Sequence, residues 1–217
     1  MIKVAPSLLA ANYLALDTEV DKVIASGADA LHYDVMDGEF VPAITFGQGL
    51  LEQLSAKPIA LDAHLMIVHP ERHIDEFAQA GARYITVHQE AAGFELVDTL
   101  KRIRTAGCLA GVSIKPFTSV DALSDALEFA DLVLIMTVEP GKGGQKLLPF
   151  TLEKVTELKR MCVQRGRMPI IEVDGGINTQ TAPLAIEAGA DMLVTGSAFF
   201  KAADGRTFVE GLKAIKA

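Results

Sequence analysis

The chain has 217 residues, half of them apolar, and a net charge of −8 with its basic residues scattered along the sequence. Nucleic-acid binding usually needs a basic patch, so we expect no nucleic-acid partner. No apolar run is long enough to span a bilayer and no signal peptide precedes the first apolar segment, so we expect a cytoplasmic protein without membrane contact. Two cysteines, Cys108 and Cys162, lack CxxC spacing and are expected to be free thiols.

Eight apolar segments read as β-strands, in chain order from the first residues to the last. They lie at 2–9, 29–36, 58–66, 84–88, 109–115, 131–138, 169–174 and 191–196. Amphipathic helices are predicted between them, including the segments FELVDTLKRIRTAG, DALSDALEFA and LEKVTELKRMCVQRG. Nearly continuous apolar strands that alternate with helices are typical of a parallel sheet covered by helices.

One local pattern recurs: a helical stretch, a glycine with a small residue beside it, then an apolar strand. Its glycines are Gly27, Gly81, Gly107 and Gly189, separated by 54, 26 and 82 residues. These spacings approximate two, one and three units of about 27 residues, a length typical of repeat architectures. Eight such units fill the chain, which predicts a single-domain (β/α)8 TIM barrel over 1–217. An open doubly wound sheet is the alternative, but it usually has fewer strands, and no GxGxxG follows the first strand.

Potential metal ligands gather where predicted strands end. His32 and Asp34 lie two residues apart on the second strand and therefore share a face. His64 ends the third strand and Asp174 the seventh. Because barrel active sites form at the C-terminal ends of the strands, we expect these four side chains to bind one divalent cation. A mixed His/Asp set suits Zn, our first choice, or Fe, Mn or Co. Any one of the four, taken alone, could instead be structural.

Three methionines and another histidine fall near the same strand ends. Met36, Met66 and Met136 either fill the core, as methionine usually does, or form a dry lid that excludes water from a reactive site. His88 on the fourth strand also faces the predicted rim. We expect it to support the ligands from behind or to be structural.

Small-residue turns follow the last three predicted strands. They are Gly141-Lys142-Gly143-Gly144, Gly175-Gly176 and Gly196-Ser197. Glycine lets backbone N–H groups approach an anion, and barrels often bind phosphate after their last strands. One such turn alone could be only a turn, but three predict a phosphate site.

A cation, a phosphate site and two carboxylates from different strands favour one reaction. Asp34 or Asp174 removes a proton next to a carbonyl, and the other returns a proton to the opposite face of the carbon. No nicotinamide or flavin fingerprint and no obvious Ser-His-Asp pattern is present, so redox and acyl-transfer chemistry lack support.

The sequence closely resembles the ribulose-phosphate 3-epimerase family along its whole length. The matching motifs are APSLLA, LHYDVMDGEFVPAITFG, LDAHLMIVHPER, ITVHQEA, LIMTVEPGKGGQ, IEVDGGIN and VTGSAFF. The resemblance implies interconversion of D-ribulose 5-phosphate and D-xylulose 5-phosphate, one divalent ion per subunit, and a homo-oligomer, either a dimer or a hexamer.

The resemblance also assigns roles to residues by motif position. It implies a metal-ligand set of His32, Asp34, His64 and Asp174, and an acid/base pair of Asp34 and Asp174. It further implies substrate contacts from Ser7, His64, Gly141, Lys142, Gly143, Gly144, Gly175, Gly176, Gly196 and Ser197. Departures from the family pattern, such as Ala43 and Lys142, leave a hexulose 6-phosphate such as D-allulose 6-phosphate open as the substrate.

Two other functions stay open at this point. A non-catalytic sugar-phosphate binder could keep the barrel, although binding alone does not need carboxylates on both faces of a sugar. A decarboxylase or aldolase could share the phosphate site, but the Asp-x-Lys-x-x-Asp run of decarboxylase-like barrels is absent here.

Overall fold

Eight parallel β-strands form the centre of the protein, which the computed structural model describes over residues 1–216. The strands are β1 Lys3–Pro6, β2 Ala30–Met36, β3 Ala60–Met66, β4 Tyr84–His88, β5 Leu109–Ile114, β6 Leu132–Met136, β7 Ile170–Asp174 and β8 Met192–Thr195. The α-helices are α1 Leu16–Ala25, α2 Gln48–Leu54, α3 Ile74–Gln79, α4 Gln89–Ala92, α5 Leu96–Thr105, α6 Thr151–Gln164, α7 Ala182–Ala188, α8 Ser197–Phe200 and α9 Gly205–Lys213. The predicted (β/α)8 barrel is therefore confirmed.

The strands pair in the order β1-β8-β7-β6-β5-β4-β3-β2, and the two outermost strands then approach each other. A parallel bridge pairs Ser7 with His32. Near the other end of the same seam, the Asp29 N–H donates to the Val4 carbonyl at 2.9 Å. The sheet is thus nearly closed, and the C-terminal ends of all eight strands meet at one rim.

Two apolar cores lie on the two sides of this sheet. The outer core fills the space between strands and helices, and α5 contributes Leu96, Leu100 and Ile103 to it at helical spacing. The inner core closes the barrel below the rim. Its buried members are Ala5, Ala30, Tyr84, Leu132, Leu134, Met136, Val138 and Met192. Side chains thus fill the barrel below the rim.

The repeated Gly-Ala-Asp pattern has a structural reason at both of its ends. The glycines Gly27, Gly81, Gly107 and Gly189 have φ angles between +76° and +117°, as expected just past helix ends. In two of these repeats, and in the glycine-free segment before β6, an aspartate just before a strand accepts a hydrogen bond from a backbone N–H of the preceding strand. The pairs are Asp29 with Val4 at 2.8 Å, Asp131 with Ala110 at 3.0 Å, and Asp191 with Ile171 at 3.1 Å.

One predicted helix is wrong. The segment DALSDALEFA, residues 121–130, lies in a stretch that forms two short 3-10 turns instead of an α-helix. The turns are Val120–Leu123 and Ala126–Glu128. The guanidinium group of Arg165 donates to the Ser124 carbonyl, and that of Arg167 donates to the Glu128 carbonyl. The Ser124 carbonyl is one that an α-helix over this segment would satisfy from its own backbone, whereas the Glu128 carbonyl would lie in its unsatisfied last turn.

The first strand is also shorter than predicted. It ends at Pro6 rather than at residue 9, and a 3-10 turn over Leu8–Ala10 follows. The Ser7 hydroxyl caps this turn by accepting a hydrogen bond from the Leu9 N–H at 3.2 Å. Cys108 and Cys162 are buried free thiols, as expected. Within residues 1–216, no helix combines the length and the apolar character needed to cross a membrane.

Candidate active site

Three strands each carry two acidic or histidine side chains into the barrel at alternate positions. The pairs are His32 and Asp34 on β2, Asp62 and His64 on β3, and Glu172 and Asp174 on β7. Five of these six side chains are buried, and the side chain of Asp174 is 19% exposed. Because side chains alternate along a strand, the residues of each pair point the same way, one nearer the rim and one deeper.

The four predicted metal ligands converge on one point at the rim. His32 Nε2 lies 3.3 Å from His64 Nδ1, and both nitrogens face Asp34 Oδ1, at 3.4 and 3.1 Å. Asp174 Oδ2 completes the group at 3.9 Å from His32 Nε2. One ligand atom from each residue lies within 4.8 Å of every other. The cluster can therefore hold a metal ion.

The chemistry of this donor set fits a divalent cation. Two imidazole nitrogens and two carboxylate oxygens are the ligands that Zn and the later transition metals accept. The other ring nitrogen of His32, Nδ1, lies 2.7 Å from Asp62 Oδ2 and can donate its proton there. This contact leaves Nε2 free to point at the site, which is the usual arrangement behind a metal-binding histidine.

Asp62 and Glu172 are site residues that the sequence analysis missed. Both are fully buried, and Glu172 Oε1 lies 3.8 Å from His32 Nδ1. Neither Glu172 oxygen has a hydrogen-bond partner among the described residues. The signal was present in the sequence, because each acid lies two residues before a predicted ligand and therefore on the same face of its strand.

The surrounding protein groups shift the pKa values of Asp34 and Asp174, the two carboxyls at the rim, in opposite directions. Burial alone would raise the pKa of Asp34, but His32 and then His64 outweigh it and hold that pKa well below its usual range. Burial and the negative charge of Asp34 raise the pKa of Asp174 to about 6. Burial opposes the charged form of His32, yet Asp34 and Asp62 beside it raise the pKa of this imidazole. Asp34 thus favours the ionised state, and Asp174 holds a proton more readily.

His88 stands behind His64 on the next strand. Its Nε2 lies 2.9 Å from His64 Nε2, and its Nδ1 lies 3.3 Å from Glu90 Oε2. Burial lowers the pKa of His88 to about 4, so the ring is neutral near pH 7. Burial would raise the pKa of Glu90, but His88 first, and then the hydrogen bonds from Thr118 and the Lys115 N–H, outweigh this and lower that pKa to about 2.

A pocket opens above the cluster at the C-terminal ends of the strands. Asp34 and Asp174 form part of its floor, and the Ser7 hydroxyl donates to Asp34 Oδ2 at 2.5 Å. The predicted substrate contacts that line it are Ser7, Gly141, Lys142, Gly143, Gly144, Gly175, Gly176, Gly196 and Ser197. His32, His64 and His88 lie beneath it, fully buried.

The three methionines also line this pocket. Met36, Met66 and Met136 are each at most 3% exposed, and the first two pack with Val41 in a small apolar cluster. Lining residues that the sequence analysis missed include Leu9, Val138, Glu139, Gln145 and Ile177. They are ordinary loop residues, and no sequence pattern distinguishes them. The pocket therefore combines a charged floor with apolar walls and glycine turns.

The fold and the site together define a class: a (β/α)8 barrel with a His/Asp cluster able to hold a metal ion beneath a glycine-rich pocket. The profile of the ribulose-phosphate 3 epimerase family matches residues 3–200, and the chain belongs to this family.

Individual relatives agree with this assignment. The chain is 46% identical over 220 residues to the ribulose-phosphate 3-epimerase of Bacillus subtilis, with all of both chains covered. It is 43% identical to the chloroplastic ribulose-5-phosphate-3-epimerase of Arabidopsis thaliana, with 99% of this chain and 77% of the relative covered. Among solved structures, 3-hexulose-6-phosphate synthase from Salmonella typhimurium has a TM-score of 0.71 at 22% identity, covering 99% of this chain and 98% of its own. That last likeness concerns the fold alone.

Proposed function

We propose that this chain is a metal-dependent 3-epimerase that interconverts D-ribulose 5-phosphate and D-xylulose 5-phosphate. The observation that carries the proposal is the pair Asp34 and Asp174. Their carboxylates come from β2 and β7, which β1 and β8 separate around the barrel, yet their ligand atoms lie within 4.8 Å of each other. Membership of the epimerase family supports the same reaction.

Inversion at C3 of a ketose phosphate needs two proton transfers, one on each face of the carbon. Asp34, ionised, accepts the proton as the C3–H bond breaks, and the electron pair moves into an enediolate. Asp174, protonated, then gives its proton to C3 from the other face. The products leave Asp34 protonated and Asp174 ionised, which is the state that the reverse reaction uses. The lowered pKa of Asp34 and the raised pKa of Asp174, about 6, make Asp174 the carboxyl that holds a proton more readily.

The proposed cation is held by His32, Asp34, His64 and Asp174, with Zn as the first choice and Fe, Mn or Co as alternatives. When bound, it supplies positive charge that stabilises the negative charge on the substrate oxygens next to C3. In the same proposal, Met36, Met66 and Met136 form the dry wall over the reacting carbon. They exclude water, so the fixed charges act more strongly on the substrate.

The phosphate of the substrate is proposed to bind at the glycine turns. Gly175 and Gly176 follow β7, Gly196 and Ser197 follow β8, and the Gly141–Gly144 loop covers them from β6. Without side chains, these backbones can approach an anion closely. Gln145 keeps the β6 loop in place, because its amide donates to the carbonyls of Glu139 and Lys142, each at 2.7 Å. Lys142 itself is exposed at the pocket mouth.

Exchange of the C3 proton with solvent tests the reaction directly. Incubation with D-ribulose 5-phosphate in D2O should place deuterium at C3 and form D-xylulose 5-phosphate. The Asp174→Asn variant should remain folded and lose turnover by roughly 10²- to 10⁴-fold. Asp98→Asn is the matched control, because that side chain is 86% exposed and is not among the residues that line the pocket. Retention of most turnover by Asp174→Asn would contradict the assignment.

The choice of sugar has its own test. We expect kcat/KM for D-ribulose 5-phosphate to exceed that for D-allulose 6-phosphate, measured on the same purified protein. The opposite order would move the proposal to the hexulose phosphate while keeping the two-carboxylate chemistry.

We also propose that the protein works in the cytoplasm as a homo-oligomer, a dimer or a hexamer, of one barrel domain per chain. Leu14 and Ile44 are exposed by 99% and 79%, and the neighbouring Tyr13 and Phe46 form an aromatic pair with ring centroids 5.1 Å apart. Exposed apolar side chains of this kind are commonly covered at subunit interfaces. Light scattering coupled to gel filtration would give the subunit count, and a monomer would contradict this part of the proposal.

A further inference from the structure

Two ligand histidines of the cluster present different ring nitrogens to the site. His32 points Nε2 at it, and His64 points Nδ1. For His32, the carboxylate of Asp62 explains the choice, because it takes the proton of Nδ1 at 2.7 Å. His64 has no carboxylate behind it. Its Nε2 faces another imidazole, that of His88, at 2.9 Å.

Two facing imidazole nitrogens form a hydrogen bond only when one of them carries a proton and the other does not. If a cation takes the lone pair of His64 Nδ1, the proton of this neutral ring must sit on Nε2. His88 Nε2 must then accept, so the proton of His88 sits on Nδ1. That nitrogen faces Glu90 Oε2 at 3.3 Å, and a carboxylate is an acceptor only.

We propose that Glu90 and His88 are positioning residues that hold His64 with Nε2 protonated and Nδ1 free to bind the cation. This inference rests on the proposed metal-dependent function and extends it to residues that do not touch the cation or the substrate. The opposite arrangement would put an unprotonated His88 Nδ1 against the Glu90 carboxylate, two acceptors facing each other. It would also place the His64 proton on Nδ1, where it blocks the ligand lone pair.

Glu90 is itself held in one orientation. Its Oε1 accepts a hydrogen bond from the Lys115 N–H at 2.7 Å and another from the Thr118 hydroxyl, both from the loop after β5. The other oxygen, Oε2, is therefore left for His88. Because this orientation is fixed, Glu90→Gln changes only the group that faces His88. Its amide oxygen can keep the two loop contacts, which turns the NH2 group toward His88 and places a donor against Nδ1.

Glu90→Gln should thus move the His88 proton from Nδ1 to Nε2 and the His64 proton from Nε2 to Nδ1, while leaving the loop in place. We expect its Zn²⁺ affinity, measured on the full chain by competition with a chromogenic chelator, to fall by roughly 10- to 100-fold, as is typical when such supporting partners are changed. In the Zn-loaded wild type, ¹H–¹⁵N correlation of the imidazole rings should show the His88 proton on Nδ1 and the His64 proton on Nε2.

Two control variants separate this role from simpler effects. Thr118→Val removes a loop contact of Glu90 but leaves the pair with His88, so its Zn²⁺ affinity should stay near the wild-type value. Glu76→Gln removes the carboxylate of an exposed His–Glu pair, in which His73 Nδ1 lies 3.1 Å from Glu76 Oε2, and should change nothing. Thermal unfolding of the metal-free variants reports whether each remains folded.

The inference is overturned if folded Glu90→Gln binds Zn²⁺ as tightly as the wild type, or if Thr118→Val weakens binding equally. A His88 proton on Nε2 in the Zn-loaded wild type would overturn it as well, as would a wild type that binds no Zn²⁺. A wild type that shows the expected affinities and ring protons but does not epimerise a ketose phosphate would contradict the proposed function alone.

Discussion

The turn after β7 offers a sharp test of how the backbone shapes the pocket. Gly176 has φ +67°, and a Cβ placed on it would lie 2.3 Å from the Leu147 nitrogen and 2.9 Å from the Leu147 Cα. The Gly176 carbonyl is fixed, because Thr181 Oγ1 donates to it at 2.8 Å and Asn178 Nδ2 at 3.2 Å. Gly176→Ala therefore strains the turn and forces two backbones apart.

Gly166 provides a matched control for this substitution. Its φ is +64°, nearly that of Gly176, but a Cβ there would meet nothing within 4 Å. An alanine in left-handed backbone costs roughly 1–2 kcal/mol at either position. The clash at Gly176 adds the cost of overpacking, about 1–3 kcal/mol. We expect the free energy of unfolding to fall by about 1–2 kcal/mol in Gly166→Ala and by about 2–5 kcal/mol in Gly176→Ala.

Activity should separate the two variants further, because Gly176 lines the pocket. Relief of the clash moves the turn by about 1 Å, and a misplacement of that size can lower turnover efficiency roughly 10²-fold. Urea denaturation and steady-state kinetics with D-ribulose 5-phosphate measure both effects. Equal destabilisation in the two variants, together with wild-type kinetics in Gly176→Ala, would refute the assigned packing and the role of this turn.

Three further outcomes are expected. Ser7→Ala removes a 2.5 Å hydrogen bond to Asp34 and should lower kcat/KM roughly 10- to 100-fold. Ser26→Ala loses only a hydrogen bond to a neutral backbone carbonyl and should leave kcat/KM unchanged. Equal kinetics in the two variants would count against a role for Ser7. Asp62→Asn weakens the support behind His32 and should lower Zn²⁺ affinity roughly 10- to 100-fold by chelator competition, and an unchanged affinity would contradict that support. Chelation should abolish epimerisation and Zn, Mn, Fe or Co should restore it, so full activity in metal-free protein would exclude the proposed cation.

Much of the fold was predictable because local rules repeat along the chain. The left-handed glycines recur at spacings that approximate multiples of about 27 residues, typical of a repeat architecture. The segment 121–130 is the exception, because its predicted α-helix does not form. Leu123, Ala126, Leu127 and Ala130 are buried at helical spacing, so the sequence predicts an α-helix there. Arginines from a distant part of the chain take carbonyls of this segment instead, and local periodicity contains no information about such partners.

The site was predictable in part for the same reason. Strand alternation and the barrel rim were enough to group His32, Asp34, His64 and Asp174, and the structure brings these four together. Whether other acids support these four residues is a different question. Strand alternation places Asp62 and Glu172 on the same faces as predicted ligands, but which side chains these acids and Glu90 contact on neighbouring strands is not visible in the sequence. The sequence analysis therefore did not recognise the three as part of the site.

The sequence by itself determined the repeat, the barrel, the family and the residue types at the rim, because each follows from short-range patterns of polarity, glycine and strand ends. Only the tertiary structure decided which ring nitrogen each histidine presents, which carboxyl holds a proton more readily, and where a glycine has no room for a methyl group. These properties depend on distances of a few ångströms between residues far apart in the chain, and such distances exist only once the barrel has closed.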